Sequence, residues 1–576
     1  MPSLSHRWRP LLALLIYSVL TLALTWPTIT HLTDNWLADS TNDPDAFLKL
    51  WDIDYLGRLL HGEAGQTFFH TSLLFHPTGL DLTYHTLHVP HMLTAYALRP
   101  FFGLIGAFNA TSLLMVLVTA LSGCALLREL LPERETWAAW GAAVFGGAVF
   151  GFSQWVLYNF RHPDLAFLAT QALTLLFTIR LLRRNRWQDA LLAGLMIGIT
   201  AYVGLYILVV TGLILAVLIL VALIQQRGRI PWGRFVALAL VAAVMAAPRL
   251  VPMVSGNLGF ALSAKYGEYH AWESVDLVNF FMPAAHPLFG QMISLPKGAQ
   301  RYHMFYLGWS VLLLAVIGLL PRRTRGWSAA GLLGAIFFLW LALGPKLNVN
   351  GVTSETFPML KPLLDHVPVI FKAFGRPDNF LVGLTLPLSL AAAFGLWALL
   401  DSMRRRGAGV QMVICVGVLV FACWERWAGP YDGSYPDRKV SPYYAQLAQE
   451  AGDFAILDVP LGRNPGKFYL YYQLTHRHAM VEGLASRTPD GAYDYMDASP
   501  MLTAWKYWQK LDCSKIDLST EYAKLASDDV RYIILHRNDP PLKILQPYFA
   551  GVTPIYEDNK LSVYRTADLV KTPTCQ

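Results

Sequence analysis

The apolar residues of this chain come in blocks of about 17–25 residues, the length an α-helix needs to cross roughly 30 Å of hydrocarbon. The blocks are Leu11–Trp26 and then 106–127, 136–157, 165–182, 188–203, 204–224, 233–252, 304–320, 327–344, 379–400 and 410–427. They predict a polytopic α-helical membrane protein with eleven spans. Val89–Phe102 would be a twelfth, or else a re-entrant or interfacial segment, because Pro90, His91, Arg99 and Pro100 interrupt it. Apolar residues make up 54% of the chain and charged residues 15%. A soluble globular protein of this size would be about 25% charged.

The net charge of +7 does not point to nucleic acid, because the basic residues cluster at block ends and form no nucleic-acid motif. Arg7 and Arg9, Arg128 and Arg134, Arg183, Arg184 and Arg186, Arg227 and Arg229, Arg322, Arg323 and Arg325, and Arg404–Arg406 all fall on one face of an eleven-span topology. That face should be cytoplasmic. The opposite face then carries loops at about 28–105, 253–303 and 345–378, a short connector at Arg161–Asp164, and the C-terminus. The N-terminus is expected to be cytoplasmic and the C-terminal domain extracytoplasmic.

The composition turns polar near Ala428. Residues 1–427 are expected to form a transmembrane domain, with 28–105 as its first outer loop, and 428–576 a soluble α/β domain. Phe454–Val459, Val530–His536 and Leu561–Tyr564 read as strands, and Tyr444–Ala451 as a helix. Cys513 and Cys575 could pair if that domain faces an oxidising compartment. Cys124, Cys415 and Cys423 lie in apolar blocks and read as core residues.

The chemistry concentrates in the first outer loop, where Asp43, Asp45, Asp52 and Asp54 fall within a dozen residues. Asp43 and Asp45, one residue apart, could share a divalent cation such as Mg or Mn, or one could serve as a general base. Against this stands the plain reading of solvated acids in an aqueous loop. The same loop holds His61, His70, His76, His85, His88 and His91, whose spacings match no zinc signature and suit hydrogen bonding. His162 and Asp164 lie in the short outer connector and would either close over an outer cavity or serve as a plain turn. Arg249, Lys372 and Arg376 run against the positive-inside trend. They either snorkel or bind a lipid-linked phosphate.

Several stretches resemble the GT-C glycosyltransferases, in particular bacterial GT-C-like membrane proteins. Asp45-Ala-Phe-Leu-Lys-Leu-Trp51 is similar to the first-loop acid of that class with a Trp six residues on. Phe75-His-Pro-Thr-Gly-Leu-Asp81, Asp276-Leu-Val-Asn-Phe-Phe-Met-Pro283 with His286-Pro287, Tyr306-Leu-Gly308 and Arg376-Pro-Asp-Asn-Phe380 are similar to later segments. Asn379 stands where a second Arg is frequent, and Asp43 where Gly is commoner.

The resemblance implies a GT-C fold in a bacterial cytoplasmic membrane. It also implies an inverting transfer of sugar from a polyprenyl-phosphate donor to an extracytoplasmic acceptor. Asp45 would be the catalytic carboxylate, either a general base on the acceptor hydroxyl or a metal ligand with Asp43. Arg249, Lys372 and Arg376 would bind the phosphate across one cavity from Asp45, with His162 and Asp164 as further binding residues. The expected partners are a polyprenyl-phosphate-linked sugar, membrane lipids and an unknown acceptor, and no nucleic acid. The alternative is a non-enzymatic membrane protein, either a transporter or a GT-C-like scaffold subunit. A transporter should show mid-span charges and related halves, and the sequence has few such charges and no two-fold repeat.

Overall fold

The computed structural model describes residues 8–34, 45–225, 230–255, 274–292, 294–298, 303–360, 362, 376–430, 440–509, 516–537 and 542–571. Asp43, Lys372, Cys513 and Cys575 lie outside the described residues. The chain divides into two compact units. The first comprises Met1–Asn35, Leu87–Thr94 and Gly106–Asp432; the second comprises Trp36–Thr86, Ala95–Ile105 and Gly433–Gln576.

Every apolar block contains a helix. In chain order these are α1 (Arg9–Leu24), then, after α2 (Asp45–Leu60), α3 (Val89–Leu130), α4 (Trp137–Gly151), α5 (Gln154–Asn159), α6 (Pro163–Ala166), α7 (Ala169–Arg184), α8 (Trp187–Val203), α9 (Leu205–Gln225), α10 (Trp232–Ser255), α11 (Trp309–Ile317), α12 (Arg322–Ala342), α13 (Leu381–Ser402) and α14 (Ala408–Glu425). Among the described residues seven helical stretches are long and apolar enough to cross a membrane: Val89–Leu130, Pro163–Arg184, Leu205–Gln225, Trp232–Ser255, Arg322–Ala342, Pro377–Ser402 and Ala408–Glu425.

The other four expected spans are shorter helices. α1 has 16 residues, α4 has 15, α8 has 17 and α11 has 9. At 1.5 Å per residue a 15-residue helix reaches only about 23 Å. Local signals explain the shortening. Ser153 ends the 136–157 block by capping α5, its Oγ accepting from Val156 N at 3.3 Å. Gly204 separates α8 from α9. Gly308, at φ 91°, starts α11 late. Conversely, Val89–Phe102 is helical and joins 106–127 in α3, with a break at Gly103 (φ 69°).

In the first unit α13 is the central helix, buried along most of its length and packed on α4, α11 and α12. Small residues permit this. A Cβ placed on Gly395 would meet Leu314 O of α11, and one on Gly146 would meet Ala393 Cβ of α13 at 2.7 Å. Such close backbone approach is how helices gain packing in lipid, where burial from water cannot drive association. α9 and α10 expose Val217 and Val244 instead, as helices facing hydrocarbon do. The protein is thus a polytopic α-helical membrane protein.

The second unit is an α/β domain. Its sheet has the order β7-β6-β8-β10-β9. The strands are β6 (Ala455–Val459), β7 (Ala479–Met480), β8 (Val530–His536), β9 (Tyr556–Glu557) and β10 (Leu561–Arg565). β6 runs parallel to β7 and β8, and β10 antiparallel to β8 and β9. The expected helix at 444–451 starts earlier, as α15 (Pro442–Leu447), because Ser441 caps it and Pro442 presets its first turn. The core is continuous with α2 and the segment that follows it: Leu48, Trp51, Tyr55, Leu74 and Leu80 belong to one buried cluster with Ile456, Leu457, Ile533 and Ile534. Residues 45–86 are therefore part of this domain's packing.

Candidate functional site

The acidic segment is a helix, not a solvated loop. α2 lies beside α16 (Arg463–His476), and the two run parallel. Asp45 Oδ1 meets Lys467 Nζ at 2.5 Å. Phe47 packs on Phe468 and Tyr471, with ring centroids 5.4 and 4.8 Å apart. Trp51 Nε1 donates to Gln473 Oε1 at 2.5 Å, and Arg477 Nη2 lies 3.9 Å from Asp54 Oδ1. Parallel helices place both positive N-terminal ends together, which costs electrostatic energy unless carboxylates sit there. Asp45 opens α2, and Glu482 accepts from the N–H of Gly462, the residue before α16, at 2.7 Å. Burial pushes the Glu482 carboxyl up to about 7, against the opposing pull of the Gly462 N–H and Lys506.

The acids along α2 divide by environment. Asp52 is buried and accepts from His85 Nε2 at 2.7 Å, while His85 Nδ1 accepts from Ser486 N at 3.0 Å. The main-chain donor at Nδ1 places the imidazole proton on Nε2. Lys49 lies 3.7 Å from Asp52 and donates to Thr86 O at 3.0 Å. Asp54 is buried between Arg58 Nε (3.1 Å) and Arg99 Nη1 (3.0 Å). Both are structural ion pairs. Asp45 differs, since its side chain is 38% exposed at the helix end. The plain reading of solvated acids fails for Asp52 and Asp54, which a buried helix can hold only when paired.

Asp43, the other carboxylate of the expected divalent-cation pair, lies outside the described residues. No group of three or more His, Cys, Asp or Glu among them could hold a metal. The Asp45 carboxylate carries an ammonium instead. The loop histidines go to separate hydrogen bonds: His61 Nδ1 with Gly57 O at 2.6 Å, His76 Nε2 with Asp528 O at 2.6 Å, His85 with Asp52, and His88 Nδ1 with His91 N at 3.0 Å.

The other expected site residues lie in the first unit. Arg249 is buried in α10 and lies close enough to Tyr202 of α8 to interact with it electrostatically. Asp164 sits on α6, where its main-chain O would lie 2.5 Å from a Cβ on Gly204. Asp164 and Arg249 are thus both near the α8–α9 junction. His162 precedes α6, its N–H donating to Asn159 O at 2.6 Å. Arg376 clasps the buried Asp378 through Nη2–Oδ2 (2.8 Å) and Nε–Oδ1 (3.3 Å). Asp276, in the third resemblance motif, accepts from the N–H groups of Val278, Asn350 and Gly351 at 3.0, 3.0 and 2.7 Å, and so joins two loops of the first unit. A cavity of about 30 Å³ lined by Gln154, Tyr306, Thr385 and Arg426 has room for a water or two and not for a sugar.

Sequence reading missed Lys467, Arg463 and Glu482. Arg463 and Lys467 are one turn apart on α16, and Arg463 donates to Ala485 O (3.4 Å) and Ser486 O (3.3 Å). The available signal was Gly462-Arg463-Asn-Pro-Gly466-Lys467, basic and glycine-rich between a buried strand and a helix start.

The membrane helices and the α/β domain together have a GT-C-like fold. The arabinofuranosyltransferase AftD from Mycobacteria matches at a TM-score of 0.51 and 14% identity, over 98% of this chain and 42% of that one. This chain therefore spans less than half of AftD. The Archaeoglobus fulgidus oligosaccharyltransferase in the apo form matches at 0.49 and 10% identity, over 93% of this chain and 70% of that one. ArnT from Cupriavidus metallidurans bound to undecaprenyl phosphate matches at 0.43 and 13% identity, over 96% and 97%. Identities this low speak to fold alone. No curated protein matches. Residues 12–424 match the family described as Domain of unknown function (DUF6311), and the chain belongs to that family.

Proposed function

We propose that this protein is a membrane glycosyltransferase that moves a sugar from a polyprenyl-phosphate donor to an extracytoplasmic acceptor with inversion. The observation that carries the reading is Asp45. Among the acids of α2 it alone keeps solvent access, while its helix packs against α16. A general base needs that combination. Asp45 would take the proton of an acceptor hydroxyl as its oxygen bonds to the anomeric carbon. The carbon–oxygen bond to phosphate breaks, and the phosphate leaves with the electron pair. Lys467 would hold the carboxylate oriented.

Positive charge where the phosphate departs is the other requirement of such a reaction. The proposal assigns it to Arg249, Lys372 and Arg376, with His162 and Asp164 as further binding residues. The GT-C fold, shared with a named arabinofuranosyltransferase, supports the transferase class. The C-terminal domain would help bind the acceptor.

A second reading has one observation in its favour. The Asp45–Lys467 ion pair neutralises the acid, as a non-catalytic binding subunit would allow. The test uses the full chain in vesicles with a panel of polyprenyl-phosphate sugars, following release of polyprenyl phosphate. Release that Asp45→Asn abolishes, with donor binding retained, is the expected result. Donor binding with no release from the native protein would favour the binding subunit.

A further inference from the structure

We propose that the arginines gathered around Glu129 form a binding site for the headgroup of an anionic phospholipid. The site lies wholly in the first unit, where α3 ends and α7 ends, and none of its residues belongs to the proposed transfer reaction.

Glu129 is buried, and four guanidiniums converge on it. Arg134 Nη2 lies 3.0 Å from Oε1 and Arg183 Nη1 3.7 Å from it. Arg180 Nε and Arg184 Nη2 lie 3.2 and 2.7 Å from Oε2. Arg183 also donates to the main-chain O of Glu129. One carboxylate against four permanent cations leaves a surplus of three positive charges. The neighbouring Arg128 adds another, and its Nε has no hydrogen-bond partner among the described residues. Topological sorting needs only that arginines lie on this face; it does not need them to converge on one buried carboxylate, where they repel one another.

The arrangement suits a second anion. Each of the four arginine side chains is 31–40% exposed, so none is sealed off from solvent. A guanidinium has five N–H donors, and two carboxylate oxygens shared among four leave most of them available. A phosphodiester accepts two parallel N–H bonds from one guanidinium. Depth decides for a lipid. Trp187 follows Arg184 by three residues, and it and Trp232 are about half exposed, with Arg234 over the Trp187 ring at 5.1 Å. Exposed tryptophans at helix ends mark the water–hydrocarbon boundary. The arginines therefore stand at the level of the lipid phosphates, between membrane helices, where basic pockets take anionic headgroups.

The test uses the full chain in a zwitterionic detergent, with dioleoyl phosphatidylglycerol as probe and dioleoyl phosphatidylcholine and inorganic phosphate as comparisons. Native mass spectrometry counts retained lipid, and the thermal midpoint reports stabilisation. Phosphatidylglycerol alone should be retained and raise the midpoint. The Arg183→Gln/Arg184→Gln variant should lose roughly thirtyfold in affinity, two cations' worth at the headgroup level. Should that variant not fold, Arg134→Gln should lose about fivefold. Glu129→Gln should lower the midpoint of the lipid-free protein, because it removes the buried counter-charge of four arginines, and phosphatidylglycerol should restore more of that loss than phosphatidylcholine. An equal midpoint rise with phosphatidylcholine, the same rise with inorganic phosphate at equal concentration, or unchanged affinity in the arginine variants would overturn the proposal.

Discussion

Lys467 Nζ lies 2.5 Å from Asp45 Oδ1, joining the first residue of α2 to the second turn of α16. The same register recurs one and a half turns on, where Trp51 meets Gln473 across a separation of 422 residues. Two parallel helices keep a constant offset because both advance 1.5 Å per residue.

Asp45 is the first residue to test. Asp45→Asn should lower transfer by roughly a hundredfold or more, as loss of a general base does. Lys467→Met should cost less than about 1 kcal/mol of stability, because the pair is partly open to water, yet should lower turnover by disorienting Asp45. Release of polyprenyl phosphate and the thermal midpoint, measured on the same preparations, separate the two effects. A Lys467→Met protein with unaltered turnover would remove the orienting role.

Gln473 is the rigid counterpart. It is fully buried, accepts from Trp51, and donates to Leu73 O at 2.9 Å and His478 O at 3.1 Å. Gln473→Leu leaves the Trp51 donor and the His478 acceptor unsatisfied, while Leu73 O keeps the N–H of Met480, at a cost of roughly 2 kcal/mol or more. A large drop in the thermal midpoint of the full chain should follow, whereas Tyr507→Ala on the surface should change little.

Glu482 should impose a pH slope. Its folded-state pKa, about 7, lies above the ordinary value of 4.5, so between those values the folded chain binds more protons than the unfolded one. The associated stability is complete below pH 4.5 and is lost as pH rises through about 7, by roughly 3 kcal/mol in all. Glu482→Gln should flatten this part of the profile. Thermal midpoints taken from pH 4.5 to 8 would show it, and parallel profiles for the two proteins would contradict it.

Orientation is open to a direct test. The arginine asymmetry of the sequence expects residues from 428 onward to lie outside the cytoplasm. A reporter that matures only outside should work after Ala428 and stay silent after Arg405. The reverse pattern would invert the topology.

Much of the local structure was legible. Apolar run length alone located α9, α10, α12, α13 and α14 to within a few residues, since a run of that composition has no other way to satisfy its backbone in lipid. Phe454–Val459 and Val530–His536 became β6 and β8, because short β-branched runs between turn residues have few alternatives. The breaks at Ser153, Gly204 and Gly308 were visible as residues but not as breaks, because a hydropathy average does not register a cap or a positive φ.

The sequence by itself determined that this chain crosses a membrane, where its charge asymmetry lies, and that an acid cluster follows the first helix. Tertiary structure alone decided which acid keeps solvent access. Asp52 and Asp54 share a segment and a chemistry with Asp45, yet they are buried and paired with His85, Arg58 and Arg99. Asp45 meets instead a lysine more than four hundred residues away. Periodicity and propensity act over a few turns of chain, whereas ion pairing depends on distance in space, and only the packed helices α2 and α16 set that distance.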